Sequence, residues 1–346
     1  MNSIDSFNDK KILVTGGTGT FGRKFVEHLL KCCFPKRLVI FSRDEQKQYF
    51  MSQEFPEDKY KCLRYFLGDV RDKNRLAMAF KNIDIVIHSA AMKHVPAAEY
   101  NPNECIATNI IGAQNIIDAA INNRVKKVLA LSTDKAANPI NLYGASKLCA
   151  DKLFIAANNL SGSPDTKFSI VRYGNVLGSR GSVIPYFKQL IRNGEKKLPL
   201  TDKNMTRFFI TIEQGIKFVV DSIFSMHGGE IFVPKIKSLK ILDLIKFLVG
   251  DTNFYITGIR PGEKLHEIMI PEEEARLCID MEKYFIIKPV FKWWNSNKLD
   301  AKLLKGKLVD KDLDASPSDK IMMSTLSPYD TCFIRVPPIP KTSSSG

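Results

Sequence analysis

With 346 residues, 44% of them hydrophobic, the chain is long enough for one large domain or two closely packed lobes. Its aromatic content and ordinary glycine and proline counts exclude a disordered or collagen-like chain, and no apolar run approaches the roughly 18–20 residues a membrane span needs. The net charge of +14 comes from lysines spread along the sequence. No basic block is interleaved with aromatics, so a solvated lysine-rich surface is favoured over nucleic-acid binding.

The start, Met1–Lys10, is polar and lacks a signal pattern, which together with the missing apolar span predicts a soluble, cytoplasmic protein. The seven cysteines are odd in number and form no Cys-x-x-Cys pair. They predict reduced thiols, several of them buried (Cys62 and Cys149 among these), and no metal site.

Taken in chain order, short apolar runs alternate with helical patterns. Lys11–Thr15, Arg37–Phe41, Leu63–Leu67, Asp84–His88, Lys127–Ser132 and Phe168–Tyr173 read as strands covered on both faces. Phe21–Lys31, Asn74–Lys81 and Pro102–Asn122 read as helices between them. Such alternation specifies a parallel sheet with right-handed crossovers, an α/β doubly wound fold. After about residue 175 the texture changes. Helices are expected over Ile184–Asn193, Glu213–Met226 and Leu239–Val249, and short strands over Glu230–Pro234 and Phe254–Ile259. The expected organisation is a dinucleotide-binding domain over 1–178, a smaller α+β substrate lobe over 179–290 (with some strands returning to the sheet), and a partly ordered extension over 291–346.

Gly16-Gly-Thr18-Gly19-Thr20-Phe21-Gly22 follows the first strand and opens a helix, where backbone N–H groups and the positive helix end meet a pyrophosphate. Glycine-rich turns are common, but this placement at the start of a β–α unit makes the turn informative. About 20 residues on, the second strand ends in Ser42-Arg43-Asp44, where a nucleotide ribose is read. Asp44 alone favours NAD. Arg43 beside it offers a cation to the 2′-phosphate of NADP, and pairing with a surface acid is an equally good account of it. Asp69, after the third strand, is placed for an adenine amine or for a helix start.

Ser132-Thr133-Asp134-Lys135 ends the fifth strand, and Tyr143-Gly-Ala-Ser-Lys147 opens the next helix. Tyr143 and Lys147, at i and i+4, share a face, and an ammonium near a tyrosine lowers its pKa toward use as a base. Thr133 is placed to hold the substrate oxygen. Asp134 and Lys135 supply an acid–base pair or, more blandly, a loop salt bridge.

Together these residues resemble the extended short-chain dehydrogenase/reductase family. The runs GGTGTFG, SRDE, GDVRD, AAMKHVPAAEYNPNE, STDKAANPINLYGASK, RYGNVLGSRGSVIPYF, MTRFFIT, HGGEIFVPKI and IRPGEKLHE, between about Lys11 and Pro289, look like its inverting UDP-N-acetylglucosamine 4,6-dehydratases (5-epimerising). The resemblance implies tightly bound NADP, recycled at each turnover. The glycine turn with Ser42, Arg43, Asp44, Lys47, Asp69, Val70, Ser89, Lys93, Tyr143 and Lys147 would hold it. It implies Tyr143 as the base at C4 of the sugar, Lys135 as acceptor of the C5 proton and Asp134 as donor to the departing C6 oxygen. Lys93, Asn175, Val176, Arg207, Arg260 and Glu263 would bind UDP-N-acetylglucosamine, either arginine being instead open to a structural ion pair. It further implies the opening step of pseudaminic acid synthesis for flagellin or surface glycans, and a homo-oligomer built on the helices near 102–122 and 142–159. The group that reprotonates C5 is left open between Lys135, Cys105 and water, with a buried structural thiol the favoured account of Cys105. A UDP-sugar 4-epimerase and a catalytically silent NADP-binding scaffold are the rival readings.

Overall fold

The computed structural model describes residues 7–160, 166–250, 253–291 and 307–308. Six strands come where the alternation places them: β1 (Lys11–Thr15), β2 (Arg37–Ser42), β3 (Leu63–Leu67), β4 (Ile85–His88), β5 (Lys127–Thr133) and β6 (Lys167–Tyr173). Beyond them lie β7 (Asn175–Val176), β8 (Leu198–Leu200), β9 (Thr206–Ile210), β10 (Ile231–Pro234), β11 (Ser238–Lys240), β12 (Phe254–Ile256), β13 (Cys278–Asp280), β14 (Tyr284–Ile287) and β15 (Lys307–Leu308). The main sheet is ordered β15-β13-β14-β10-β6-β5-β4-β1-β2-β3. From β3 to β10 its neighbours are parallel, while β14 joins β10 antiparallel. The reversal of winding beside β1, which lies between β2 and β4, makes a crevice at the strands' carboxyl ends.

Successive residues of a strand point to opposite faces, so each face has its own core. On one, Leu13, Val39, Val86, Val128 and Ile170 pack with Leu76 of α3 (Lys73–Ala79), Ile116 of the helix ending at Asn122, and Phe154 of a long helix from Leu142 to Leu160. On the other, Ile12, Val14, Ile40, Ile87 and Leu129 pack with Phe25 and Leu29 of α1 (Thr20–Cys32), Met51 of α2 (Glu45–Glu54) and Val219 of the helix Ile212–Ser225. Both faces are covered, which is why these strands read as unbroken apolar runs. The exception is β3. It is the sheet's last strand, its pattern is only partly buried, and the Arg75 guanidinium lies over the Phe66 ring.

The expected helix over 102–122 is interrupted. After α4 (Val95–Tyr100) come α5 (Pro102–Ile106), a π-helical turn at Ala107–Ile111, and α6 (Gly112–Asn122). A wide turn of this kind re-aims the side chains that follow it. The long helix Leu142–Leu160 is α7, and α8 (Val183–Arg192), α9 (Ile212–Ser225), α10 (Ile241–Val249) and α11 (Glu272–Ala275) follow. The smaller lobe has its own core of Phe187, Leu198, Leu200, Met205, Phe209, Ile241 and Ile245. Strands β10, β13 and β14 return to the main sheet, so the lobe is not a contiguous stretch of chain. Of the expected extension, residues 292–306 and 309–346 lie outside the described residues.

Two of the cysteine expectations are corrected. Cys149 is exposed and Cys62 half-buried, whereas Cys33, Cys105 and Cys278 are buried. Cys149 lies in an apolar run, yet α7's 3.6-residue period turns that position outward while neighbouring Ala150 faces the core.

Candidate active site

The glycine turn connects β1 to α1. Gly16 has φ +65°, and a Cβ there would stand 2.9 Å from the backbone of Ala90, so a side chain is excluded on both counts. The Gly19 amide donates to the Gly16 carbonyl at 2.8 Å. Helix α1 starts at Thr20 behind Gly19 with neither a side-chain cap nor an acid in its first turn, leaving its N–H groups suited to an anion. Thr18 is buried, Phe21 stacks on Phe25, and Gly22 is buried in the helix's first turn. A dinucleotide pyrophosphate fits this cradle.

At the end of β2, Ser42 is buried and accepts from the Gln48 amide. The Asp44 carboxylate caps α2, accepting from the backbone N–H of Lys47 at 2.9 Å and also from its ammonium, and those bonds hold it below the usual carboxylate range. The Arg43 side chain is 61% exposed and lies 3.7 Å from Asp69. Asp69 binds Arg71 at 2.8 Å, while Asp72 rather than Asp69 caps α3. Val70 is buried against Gly112. The Ser89 hydroxyl donates to the Thr15 carbonyl at 2.7 Å. Lys93 donates to the Arg180 carbonyl at 2.9 Å, and burial, then Arg180, holds it below the usual lysine range.

Arg180 is a residue the sequence reading passed over. Its guanidinium donates to the Thr18 carbonyl at 2.9 Å and its amide to the Thr20 hydroxyl at 3.3 Å, so the loop before α8 spans the glycine turn. The run GSRGS around it was visible, but nothing local connects it to a turn 160 residues earlier.

The second half of the site is built where β5 runs out. Thr133 ends the strand and caps a short 3-10 turn, Asp134–Ala136, donating from its hydroxyl to Asp134 at 2.9 Å. Helix α7 packs directly on this turn. A Cβ on Gly144 would come within 2.2 Å of the Lys135 carbonyl, so only glycine permits the approach that brings Tyr143 to Asp134 and Lys135. Asp134 is fully buried, and its Oδ2 accepts no hydrogen bond among the described residues. The Lys135 ammonium lies 3.0 Å from Asp134, 3.2 Å from Glu267 and 3.5 Å from Asn175 Oδ1. Burial opposes its charge, but Asp134 and then Glu267 outweigh that and push Lys135 up to about 12. Burial likewise pushes Tyr143 up to about 12, opposed by Lys135 and by the nearby hydroxyl of Thr133.

Lys147 is buried and donates to the Leu131 carbonyl at 2.8 Å. Lys135 acts on Tyr143 from the neighbouring turn, favouring its ionised form. Cys105 is fully buried beside Ser146 and Asn109.

From the smaller lobe, Asn175 and Val176 form β7 beside β9. Arg207 is buried and donates to the carbonyls of Thr206 and Leu265 at 2.7 and 3.1 Å. Glu263 joins both predicted arginines, lying 3.3 Å from Arg207 and 3.0 Å from Arg260, whose side chain is 70% exposed. The structure thus brings all three predicted residues into one ion-pair cluster.

A doubly wound sheet with an uncapped glycine turn at its crevice and a Thr/Tyr/Lys set two strands over, at the end of β5, defines a Rossmann-type protein of the short-chain dehydrogenase/reductase class. The chain belongs to the polysaccharide biosynthesis protein family, whose model matches residues 12–289. It is 58% identical to the UDP-N-acetylglucosamine 4,6-dehydratase (inverting) of Campylobacter jejuni strain 81-176, over 83% of this chain and 85% of that one. It is 41% identical to a UDP-glucose 4-epimerase of Rickettsia massiliae, over 81% and 83%. The crystal structure of Pen from Bacillus thuringiensis superposes with a TM-score of 0.78 at 40% identity, over 82% of this chain and 90% of that one.

Proposed function

We propose that this chain is a cytoplasmic, homo-oligomeric, inverting UDP-N-acetylglucosamine 4,6-dehydratase that retains NADP and opens a pseudaminic-type sugar pathway serving flagellin or surface glycans. The observation that carries this is the pairing of fully buried Asp134 with half-buried Lys135 beside Tyr143. An epimerase needs one proton acceptor at the C4 hydroxyl. A dehydratase also needs a base for the C5 proton and an acid for the C6 oxygen, adjacent and out of water. The resemblance to the Campylobacter dehydratase supports the same substrate.

NADP in the crevice supplies a hydride acceptor for C4 and a hydride donor for C6. Arg43, exposed at the end of β2, faces the 2′-phosphate, Asp44 being engaged by Lys47. Arg180 lies across the glycine turn, and Lys147 would take the nicotinamide ribose. Arg260, Arg207 and Glu263 receive the UDP moiety, with Lys93, Asn175 and Val176 toward the sugar. Tyr143 accepts the C4 hydroxyl proton as its tyrosinate, a form that burial disfavours and the Lys135 cation favours.

The proton inventory of the elimination closes on the pair itself. Lys135 first passes a proton to Asp134, turning an ion pair into a neutral acid and base, a step that works against the anions holding Lys135 charged. Asp134 then gives its proton to the C6 oxygen as the C–O bond breaks, and Lys135 takes the C5 proton. Water leaves, and the ammonium–carboxylate pair is restored. The proton that Tyr143 gained is balanced by the one later added to C5 on the opposite face, which inverts that centre and gives the 4-keto-6-deoxy L sugar. For oligomerisation, Tyr100, Ile106 and Ile111 are exposed near α5 and the π turn.

The test is incubation with UDP-N-acetylglucosamine in heavy water with no added cofactor. The expected product has lost one water and carries deuterium at C5, with no net reduced cofactor. A product of unchanged mass would identify an epimerase, and no turnover would leave a binding scaffold.

A further inference from the structure

The dehydration chemistry above uses Asp134 and Lys135, yet the Lys135 ammonium is shared with a third group. Glu267 reaches it from the smaller lobe, 265 and 266 being engaged by β9: the Leu265 carbonyl accepts from Arg207 and His266 bonds Thr206. Glu267 is only 3% exposed. One of its oxygens meets Lys135 at 3.2 Å; the other lies 3.7 Å from the Lys264 ammonium and accepts no hydrogen bond among the described residues. Lys264 is itself fixed by donating to the Ala137 carbonyl, just past the Asp134–Ala136 turn. A carboxylate stripped of water and incompletely bonded is costly, and such groups cluster where charge is used.

We infer that Glu267 is a positioning residue for the dehydration step: it holds the Lys135 amine from the opposite lobe and supplies the standing negative charge against which Lys135 takes the C5 proton. This rests on the dehydratase reading. When Asp134 is protonated, its charge no longer orients the amine. Glu267, anchored beside Lys264, accepts an N–H of neutral Lys135. As the C5 proton arrives, the new ammonium forms beside an anion already in place. The other groups facing Lys135 are Arg207, whose charge opposes the ammonium, Tyr143 and Asn175. Together Asp134 and Glu267 overcome burial in holding Lys135 charged.

The test uses the full chain with bound NADP and measures kcat, KM and C5 deuterium uptake against pH. Glu267→Gln is expected to lower kcat about 30-fold or more with KM within about threefold. Its falling alkaline limb should move down by about one unit, because Lys135, whose proton the elimination uses, releases it to solvent more readily without that anion. Glu267→Asp should recover most of kcat and return the limb. Lys264→Met keeps Glu267 and removes a cation, so its limb should move up, and it carries the test alone if Glu267→Gln does not fold. Equal kcat loss with unmoved limbs, or a KM effect alone, overturns the proposal. Wild-type protein that neither eliminates water nor exchanges C5 overturns the dehydratase reading instead.

Discussion

Arg172 offers a sharp test of how the catalytic helix is held. It lies on β6, fully buried, with Nη1 donating to the Met269 carbonyl at 3.1 Å and to Glu274 at 2.6 Å, and Nη2 at 3.7 Å from Asp151. Asp151 sits one turn beyond Lys147 on α7 and accepts from the Ser132 hydroxyl at 2.7 Å. Arg172→Met keeps most of the volume and removes the charge. Breaking a buried pair costs about 3–5 kcal/mol. Two features put this case at the low end. Glu274 is 16% exposed and gains water, and burial already holds Asp151 above the usual carboxylate range, so it protonates rather than standing charged. The expected loss is therefore about 3 kcal/mol, or a fall of roughly 6–12 °C in Tm at about 2–4 °C per kcal/mol. The sign with pH follows. Without Arg172 the folded Asp151 binds its proton more tightly than the unfolded one. The variant's stability should thus fall as pH rises above the unfolded carboxylate range of about 4. Urea unfolding at pH 5 and pH 8 measures both, and Arg172→Met/Asp151→Asn should recover part of the loss. A cost below about 1 kcal/mol, or a variant more stable at pH 8 than at pH 5, would refute the account.

Arg43→Ala should weaken NADP binding about 10- to 100-fold, the worth of charged hydrogen bonds to a phosphate, and leave NAD within about twofold; equal losses in calorimetric titrations would return Arg43 to a surface role beside Asp69. Tyr143→Phe should lower kcat by about 10²–10⁴ with little change in KM for the UDP-sugar. Glu263→Gln frees both Arg207 and Arg260 from their shared acid, and the expected outcome is a KM change of roughly tenfold with kcat held; an effect confined to kcat would place Glu263 at the sugar rather than the nucleotide.

The strands and the glycine turn were legible because their signals are local. A buried strand is a run of apolar residues, and a turn that must reach φ +65° is written as glycine. Tyr143 and Lys147 were legible as a spacing, but their division of labour was not, because the direction of a lysine side chain depends on which carbonyl it finds. Lys147 found Leu131, and Lys135 also acts on Tyr143 from the turn after β5. Glu267 and Arg180 left no local trace. Each acts across more than 130 residues of chain, on partners chosen by the way the smaller lobe folds back. The π turn at Ala107–Ile111 was equally hidden, since one wide turn hardly disturbs an apolar periodicity.

The energetic cost of the site separates chemistry from scaffolding. Asp134 and Glu267 are 0% and 3% exposed, each has an oxygen that accepts no hydrogen bond among the described residues, and the Lys135 ammonium between them faces Arg207 as well. A charge set of this kind gains no more stability than neutral groups of similar shape, and often less. An ion-pair role alone would not maintain it, whereas proton transfer requires it. The combined variant Asp134→Asn/Lys135→Met/Glu267→Gln should therefore melt at or above the wild-type temperature while C5 exchange is abolished, the usual opposition of stability and function at an active site. Differential scanning calorimetry and deuterium uptake read the two sides. A Tm lowered by more than about 5 °C, equivalent to roughly 1–2 kcal/mol, would show that the cluster stabilises the two-lobed fold and would remove the argument for its catalytic use.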